Sequence, residues 1–318
     1  MSVELDRATG SPAEKPRPAT PDRPRRGRGR QRGEVPYRFV LPALAIYALV
    51  VLYPTASGSV YAFTDWAGRR GAPDVVGFAN FAELLATRQA VGALTNTLVI
   101  AAVTTVVQTL LGLALALVLH SALVSRNILR TLFFAPALLP PVVIGFLWQY
   151  ILTPGGPLNG ALRSFGPDRL AQNWLGDSSL ALGSVIAVVI WQHAGLTMVI
   201  YLAGLQGVPA DLLEAANLDG ASRWQRLRHI TLPLLIPATS IAMSLTLISG
   251  LKMFDQVFVM TSGGPGYATE TLSLLMYKEA FVSGRYGYST AIALVLTMIV
   301  FAFAMLQLKA LRRFEVDA

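Results

Sequence analysis

Residues 209–237 read PADLLEAANLDGASRWQRLRHITLPLLIP, and this polar, arginine-rich stretch separates two long apolar runs. The run before it covers about Leu180–Leu205, and the run after its arginines covers about Thr231–Met260. Each run is long enough to cross a bilayer core of about 30 Å as a helix. The polar stretch is therefore predicted to connect two membrane spans on one side of the membrane.

Four further apolar runs bring the number of predicted spans to six. They cover about Phe39–Phe63, Ala93–His120, Thr131–Leu152 and Ser289–Leu308. Proline interrupts the third span and also lies at the start of the fifth, so bends are predicted there; the positions are Pro136, Pro140, Pro141, Pro233 and Pro237. The expected fold class is all-α, a polytopic membrane bundle of six transmembrane helices.

The composition agrees with a protein of the bilayer. Of 318 residues, 53% are hydrophobic and 14% are charged, whereas soluble domains carry about 25% charged residues. This balance excludes a water-soluble enzyme, a disordered chain and a nucleic-acid reader, despite the net charge of +8. The chain has no cysteine and three scattered histidines, so we expect no disulfide, no metal site and no cofactor.

Basic residues predict the orientation. With the N-terminus in the cytoplasm, 18 of the 26 lysines and arginines lie on the cytoplasmic side and 7 lie outside. Both termini are therefore expected in the cytoplasm. Ten of the basic residues precede residue 39. Residues 1–38 are predicted to form a disordered basic tail that contacts anionic lipid, and residues 314–318 a short C-terminal tail.

The polar stretch has the features of a short amphipathic helix over about 210–228. Asp211 is predicted as its N-cap, with Glu214 completing a capping box. Apolar and small residues recur at helical spacing, and a turn is expected near the third of them, the glycine; they are Leu213, Ala216, Gly220, Trp224 and Leu227. Small residues at the centre permit a partner to approach closely. A helix lying on lipid is the alternative, although that would favour a bulkier apolar face.

The same stretch carries a longer pattern. Glu214-Ala215-Ala216 is followed after three intervening residues by Gly220, after nine more by Ile230, and after one more by Leu232-Pro233. This resembles the EAA signature in permease subunits of binding-protein-dependent ABC importers. In that family the loop forms a coupling helix that docks in a cleft of the cytoplasmic ATPase. The resemblance implies the type I ABC importer permease fold and a role in ATPase coupling for all seven of these residues.

The resemblance extends over about Phe39–Arg313 and is greatest to the carbohydrate-importing branch. It includes Tyr201–Gln206, Leu251–Asp255 and Val259–Gly266, and it is similar to the larger membrane subunit of maltose importers without that subunit's extra N-terminal helices. It implies half of a pathway for a sugar, expected to be a di- or oligosaccharide, across the bacterial inner membrane. The implied partners are a second homologous permease subunit, two copies of the ATPase and an extracytoplasmic solute-binding protein.

Two residues of the signature have two alternative roles each. Glu214 either stabilises the helix through the capping box or pairs with a basic residue of the ATPase, and both roles are compatible. Gly220 is needed either because a Cβ would clash with the ATPase cleft or because the chain turns there.

Candidate pathway residues lie within the spans. Lys252 and Asp255 are three apart in the fifth predicted helix, so they are expected to share a face, and to pair or to face a wet cavity. The polar and aromatic candidates Gln192, His193, Trp148 and Phe254 offer hydrogen bonds and stacking surfaces to a sugar. Packing explains each of these four better than a pathway role when it is taken alone, and a structural ion pair is the alternative for Lys252 and Asp255.

Gly263–Gly266 is interpreted as a tight turn facing the binding protein, because no Gly-x-x-x-x-Gly-Lys-Ser/Thr motif accompanies it. Glycerol-3-phosphate or another small solute is the alternative substrate. A proton-coupled secondary transporter is a second alternative, distinguished by its independence of ATP. An intramembrane enzyme is disfavoured because neither Gly-x-Ser-x-Gly nor His-Glu-x-x-His occurs, so the chain itself is not expected to be an enzyme.

Overall fold

The computed structural model describes residues 40–68, 73–121 and 124–312. In this part of the chain the regular structure is helical, and extended backbone pairs only at an isolated bridge between Thr64 and Val75. The all-α prediction is confirmed. The predicted tails at 1–38 and 314–318 lie outside the described residues.

The chain forms two units, one ending at Leu52 and one beginning at Tyr53. The first contains helix α1, Leu41–Tyr47, and a π-helical turn, Ala48–Leu52. The helices of the second unit are α2 (Tyr53–Tyr61), α3 (Ala79–Ala86), α4 (Arg88–His120), α5 (Arg126–Phe134), α6 (Pro141–Ile151), α7 (Pro157–Phe165), α8 (Ala181–Gln206), α9 (Ala210–Leu218), α10 (Arg223–Arg226), α11 (Leu232–Leu234), α12 (Ile236–Leu251), α13 (Asp255–Thr261), α14 (Leu272–Phe281) and α15 (Tyr286–Arg312).

Four helical runs of the described chain are long and apolar enough to cross a membrane. They are Leu41–Tyr61, Arg88–His120, Ala181–Gln206 and Tyr286–Ala310. Two bent pairs meet the same test together: Arg126–Leu138 with Pro141–Ile151, bent by 99°, and Arg223–Leu234 with Ile236–Leu251, bent by 64°. Counting each pair as one span gives the six predicted crossings.

The prolines explain both bends. Pro140 and Pro141 follow a 3-10 turn, Ala135–Leu138, and Pro141 opens α6. Pro237 lies in the first turn of α12, just after the bend. A proline has no amide hydrogen and cannot continue the preceding helical ladder, so the chain turns where each proline enters. The interruption predicted for the third span is confirmed.

The fifth span contains a second break that the sequence analysis missed. Helix α12 ends at Leu251 and α13 begins at Asp255, so Lys252 and Asp255 do not lie on one continuous helix and the prediction of a shared helical face was wrong. The carbonyl of Met253, freed by the break, accepts a hydrogen bond from the Thr271 hydroxyl at 2.9 Å. That contact satisfies a backbone group that would otherwise be costly to bury.

Helices α4, α8 and α12 pack closely at small residues. A Cβ added to Gly112 of α4 would come within 2.6 Å of the Thr197 side chain of α8. A Cβ at Gly250 of α12 would lie 2.7 Å from the Cα of Ala101 in α4. Small residues let membrane helices approach at backbone distance, so these three helices form the closely packed centre of the second unit.

Candidate functional site

The segment between α8 and α12, residues 209–233, is called the coupling segment below. Its first helix, α9, begins at Ala210 behind Pro209, which occupies the N-cap position without a side-chain hydrogen bond. The predicted capping box of Asp211 and Glu214 was therefore wrong, because Asp211 already lies inside the first turn. There it still favours the helix by its charge near the N-terminus.

A capping box does occur in the coupling segment, at the start of α10. The Ser222 hydroxyl accepts from the Gln225 amide at 3.3 Å, and the Gln225 side-chain oxygen accepts from the Ser222 amide at 2.7 Å. The Ser-x-x-Gln spacing was visible in the sequence and matches the motif. It fixes where the chain re-enters a helix after the turn.

The turn is made by Gly220, as predicted. Its φ is +76°, a conformation that glycine adopts without steric cost. The Gly220 amide donates to the Asn217 carbonyl at 3.1 Å, and the Ala221 amide donates to the Ala216 carbonyl at 2.9 Å. This pair of bonds is the Schellman motif that ends a helix with a left-handed residue. A Cβ at Gly220 would meet no atom of the described chain within 4 Å, so the intrachain requirement is conformational.

The outer surface of the coupling segment is polar but carries large exposed apolar side chains. Leu218 is 90% exposed, Trp224 is 64% exposed and Leu212 is 48% exposed. Glu214 and Ala215 are also exposed. Within the described chain Glu214 forms no ion pair. Exposed apolar groups clustered on a helical connection are typical of a surface that contacts a partner.

The last three signature residues connect the coupling segment to the bundle. Ile230, Leu232 and Pro233 are half-buried, in the π-helical turn Leu227–Thr231 and in α11. The next buried side chain, Leu235, packs in a cluster with Met198 of α8. The signature thus comprises an exposed group around Glu214 and Gly220 and a half-buried group that adjoins the bundle.

A small cavity of about 50 Å³ lies between α4, α8 and α12. Its polar lining includes His193, Gln108 and Ser249. The Gln108 amide nitrogen donates to the Thr197 hydroxyl at 2.9 Å, and His193 Nδ1 lies 3.1 Å from the Val189 carbonyl. Polar side chains at this depth usually face a cavity or the bundle interior. Of the pathway candidates, His193 lies in this cavity.

Trp148 lies in a second cavity, of about 400 Å³, together with Trp174 and Trp191. The rings of Trp148 and Trp191 are 5.3 Å apart at 72°, an edge-to-face contact. The indole nitrogen of Trp148 is buried and has no hydrogen-bond partner in the described chain.

Lys252 and Phe254 lie in a third cavity, of about 550 Å³, with Tyr277 and Tyr286. The ion pairs of the described residues join Lys278 to Glu270, and Arg285 to Glu83 and Glu279. In that part of the chain Lys252 and Asp255 therefore pair neither with each other nor with another residue.

Gln192 is fully buried and lies in none of these three cavities. Its amide nitrogen donates to the Leu139 carbonyl at 3.1 Å, and its side-chain oxygen accepts from Gln256 at 3.0 Å. The six pathway candidates therefore do not form one site. Four of them lie in three separate cavities: His193 in the first, Trp148 in the second, and Lys252 and Phe254 in the third. Asp255 is exposed, and Gln192 belongs to a buried hydrogen-bond chain.

Sequence reasoning also missed a buried carboxylate after the Gly263–Gly266 turn. Glu270 is 0% exposed, and its two oxygens accept from Lys278 and from Gln89, each at 2.7 Å. An acid between two threonines gave no signal of burial. The contacts hold the segment after α13 against the start of α4.

Comparison with known proteins decides the family. Residues 108–314 match the family described as "Binding-protein-dependent transport system inner membrane component". The chain belongs to this family. It is the permease subunit of an ABC importer, with the type I fold, and the ATPase of such importers is a separate subunit.

The permease is similar along nearly its whole length to several characterised chains. It is 33% identical to the "Multiple sugar-binding transport system permease protein MsmF" of Streptococcus mutans, over 88% of this chain and 96% of that one. It is 31% identical to the "Trehalose/maltose transport system permease protein MalF" of Thermococcus litoralis, over 86% and 92%. A bacterial alginate ABC transporter, crystallised with an alginate pentasaccharide-bound periplasmic protein, matches with a TM-score of 0.77 and 25% identity, over 88% and 94%.

Proposed function

We propose that the permease forms half of the translocation pathway for a sugar, a di- or oligosaccharide, delivered by an extracytoplasmic binding protein. A second homologous permease subunit completes the pathway, and two copies of a cytoplasmic ATPase drive it. The proposal is supported by the sugars in the names of similar permeases and by the saccharide-loaded periplasmic protein in the alginate transporter. Both termini face the cytoplasm of a bacterium, so the coupling segment faces the ATPase.

The observation that supports ATP coupling is the exposed helix α9, which ends at the turn made by Gly220. Leu212 and Leu218 present apolar surface. The exposed Glu214, which has no ion-pair partner among the described residues, supplies a negative charge beside two small alanines. A cleft of the ATPase with a basic group would receive this surface. Movement of the docked helix reaches the bundle through Ile230, Leu232 and Pro233, because these residues adjoin the buried Leu235.

For the sugar, the cavity between α4, α8 and α12 provides the best-placed hydrogen-bonding groups. Gln108, His193 and Ser249 come from three different helices, so a relative shift of the helices changes their spacing. At about 50 Å³ the cavity is far below the roughly 300–1,000 Å³ of ligand sites. We infer that it widens, and is completed by the second permease, in the state that holds the sugar.

The remaining candidates are assigned to other parts of the pathway. Trp148 and Phe254 offer aromatic faces, and Lys252 and Asp255 offer charges, in or near the larger cavities. Gln192 acts on its neighbours through hydrogen bonds to the Leu139 carbonyl and to the Gln256 side chain. A phosphorylated solute such as glycerol-3-phosphate is less well supported. The lining of the cavity between α4, α8 and α12 contains neither lysine nor arginine, and these are the side chains that bind phosphate best.

The test is uptake by the permease reconstituted in proteoliposomes with the subunits that co-purify with it and a saccharide-loaded binding protein. We expect uptake to require ATP hydrolysis and to persist when an ionophore removes the proton gradient. His193→Ala and Ser249→Ala should reduce uptake while ATPase subunits still co-purify; Thr297→Ala on α15 is the matched control. Uptake that follows the proton gradient without ATP would overturn the proposal in favour of a secondary transporter.

A further inference from the structure

We propose that the cavity beneath the coupling segment, where α4 and α8 end, binds the headgroup of an anionic phospholipid. The cavity measures about 250 Å³. Its basic lining is His120 at the end of α4 with Arg223 and Arg226 of α10, and its apolar lining includes Leu117, Leu205 and Leu213. The lining includes residues of α4, α8, α9 and α10, so the fold brings His120 together with Arg223 and Arg226 from a distant part of the sequence.

The positive charge of this cavity is not neutralised by the described chain. The ion pairs of that part of the protein involve Lys278 and Arg285 and lie elsewhere. Arg226 donates to the side-chain oxygen of Asn217, a neutral group. Arg223 is exposed and makes no side-chain hydrogen bond within the described residues. Two guanidinium groups without carboxylate partners form a favourable site for phosphate oxygens, which they bind through paired N–H donors.

The coupling segment does contain acids, but they leave the arginines free. Asp211, Glu214 and Asp219 are all exposed, and within the described chain none of them lies within ion-pair distance of an arginine. Arg130 adds a further cation close by, since it donates to the Leu119 carbonyl at 2.7 Å, next to His120. The end of α4 is therefore basic on more than one side.

The position and the apolar wall favour a lipid over a soluble anion. Two candidate spans end here, α4 at His120 and α8 at Gln206, so the cavity lies where helices leave the apolar layer and lipid headgroups begin. Basic pockets between helices on the cytoplasmic side are suited to anionic headgroups. Free phosphate or an acidic protein side chain would use the arginines but not the leucines. A phospholipid uses both.

A bound lipid would also fix the coupling segment. Leu213 belongs to α9, whereas Leu117 and Leu205 belong to the two spans, so a molecule lying between them holds α9 at a set distance from the bundle. The lipid site stands on its own geometry; its effect on ATPase activity rests on the proposed function. Lipid binding and ATPase stimulation are therefore measured separately.

The experiment uses the permease with its co-purifying subunits, in nanodiscs of phosphatidylcholine with or without phosphatidylglycerol. Native mass spectrometry counts retained phosphatidylglycerol, and titration with a short-chain phosphatidylglycerol gives the Kd. We expect Arg223→Gln to weaken binding about fivefold. The matched control is Arg228→Gln, which removes the same charge from an exposed residue of the same segment outside the cavity and should leave the Kd unchanged. The basic N-terminal tail is present in every variant.

Three outcomes would contradict the proposed lipid site. Equal losses for both variants would show diffuse attraction to the membrane surface. Displacement of the lipid by inorganic phosphate alone would show a simple anion site, and loss of ATPase binding without a change in lipid Kd would assign the arginines to the ATPase. If Arg223→Gln fails to assemble, Arg223→Lys keeps the charge but loses the planar fork; it should weaken lipid binding by a smaller factor, and Arg228→Lys should have no effect.

Discussion

The side-chain amide of Gln192 donates a hydrogen bond to the carbonyl of Leu139, at the point where the third span breaks. A carbonyl freed by a break needs a partner at membrane depth, and Gln192 supplies it from the neighbouring α8. The other end of the same side chain accepts from Gln256 in α13. One buried residue therefore ties both broken spans to α8, and a shift of either broken span must alter this hydrogen-bond chain.

Gln192→Leu should destabilise the assembled permease. The substitution leaves the Leu139 carbonyl and the Gln256 amide without their partner, and an unsatisfied buried polar group costs about 1–3 kcal/mol. Thermal unfolding in mild detergent measures the loss. Gln206→Leu, the same change at an exposed position at the end of the same helix, is the control and should shift the melting temperature little. Equal melting temperatures for the two variants would show that the hydrogen-bond chain is not formed.

Gly220→Val should abolish coupling of ATP hydrolysis to uptake while membrane insertion continues. A β-branched residue at φ +76° is strained, and the strain acts on the Schellman turn that ends α9. Gly160→Val in α7 is the control, since Gly160 likewise has open space around an added Cβ but no positive φ. Normal uptake by Gly220→Val would contradict the docking role of the segment.

A second variant separates the two reasons for Gly220. Asparagine tolerates the left-handed conformation better than other residues with a side chain, but it still projects from the helix end. If the turn is the requirement, Gly220→Asn should retain much of the ATPase coupling. If the ATPase cleft excludes any side chain, Gly220→Asn should be as defective as Gly220→Val, with the permease itself intact in both.

Gly195→Ala should weaken the packing of the third span against α8. An added Cβ would overlap the backbone of Phe133 and Phe134, so the two elements must separate. Overpacking of this kind costs about 1–3 kcal/mol. Gly183→Ala on the same helix is the control because it meets nothing within 4 Å, and a melting temperature unchanged in both variants would contradict the close approach.

Particular residues show how far the sequence predicted the structure. The six spans and the turn at Gly220 follow from apolar run length and from local backbone chemistry, both of which are properties of a few adjacent residues. The break after Leu251 could not be predicted, because no proline marks it. The carbonyl that it frees, at Met253, accepts a hydrogen bond from Thr271, 18 residues further along the chain. The burial of Glu270 depends on Gln89, which is 181 residues away.

The capping box predicted for Asp211 and Glu214 was wrong because residue spacing alone did not locate the start of the helix. Asp211 and Glu214 have the correct spacing, but Pro209 already provides an extended residue before the helix, so the helix begins two residues earlier than the motif requires. In the central cavity, Gln108 and His193 meet because α4 packs on α8. Nothing in either local sequence specifies that pairing, so the site was predicted only in part.

Glu279 should give the stability of the permease a measurable dependence on pH. Burial raises the pKa of its carboxyl from the usual 4.5, and Arg285 only partly opposes this effect. The folded protein then holds the proton more tightly than the unfolded chain, so this group's stabilising contribution is complete below pH 4.5 and declines as pH rises through the raised pKa. Glu279→Gln should remove that decline from a comparison of unfolding at several pH values. Glu83→Gln, at a more exposed carboxylate of the same cluster, should reduce the decline without removing it, because Glu83 adds to the raised pKa while burial is its main cause.

Leu218→Cys should report both orientation and docking. The natural chain has no cysteine, so a membrane-impermeant maleimide can label only the introduced thiol. Leu218 is 90% exposed on α9, and we expect labelling from the cytoplasmic side in inside-out vesicles and protection once the ATPase is bound. Ser164→Cys, exposed on α7, should instead be labelled from outside, with or without the ATPase. Labelling of Leu218→Cys in right-side-out vesicles would reverse the topology, and labelling that the ATPase does not reduce would place the docking surface elsewhere on the permease.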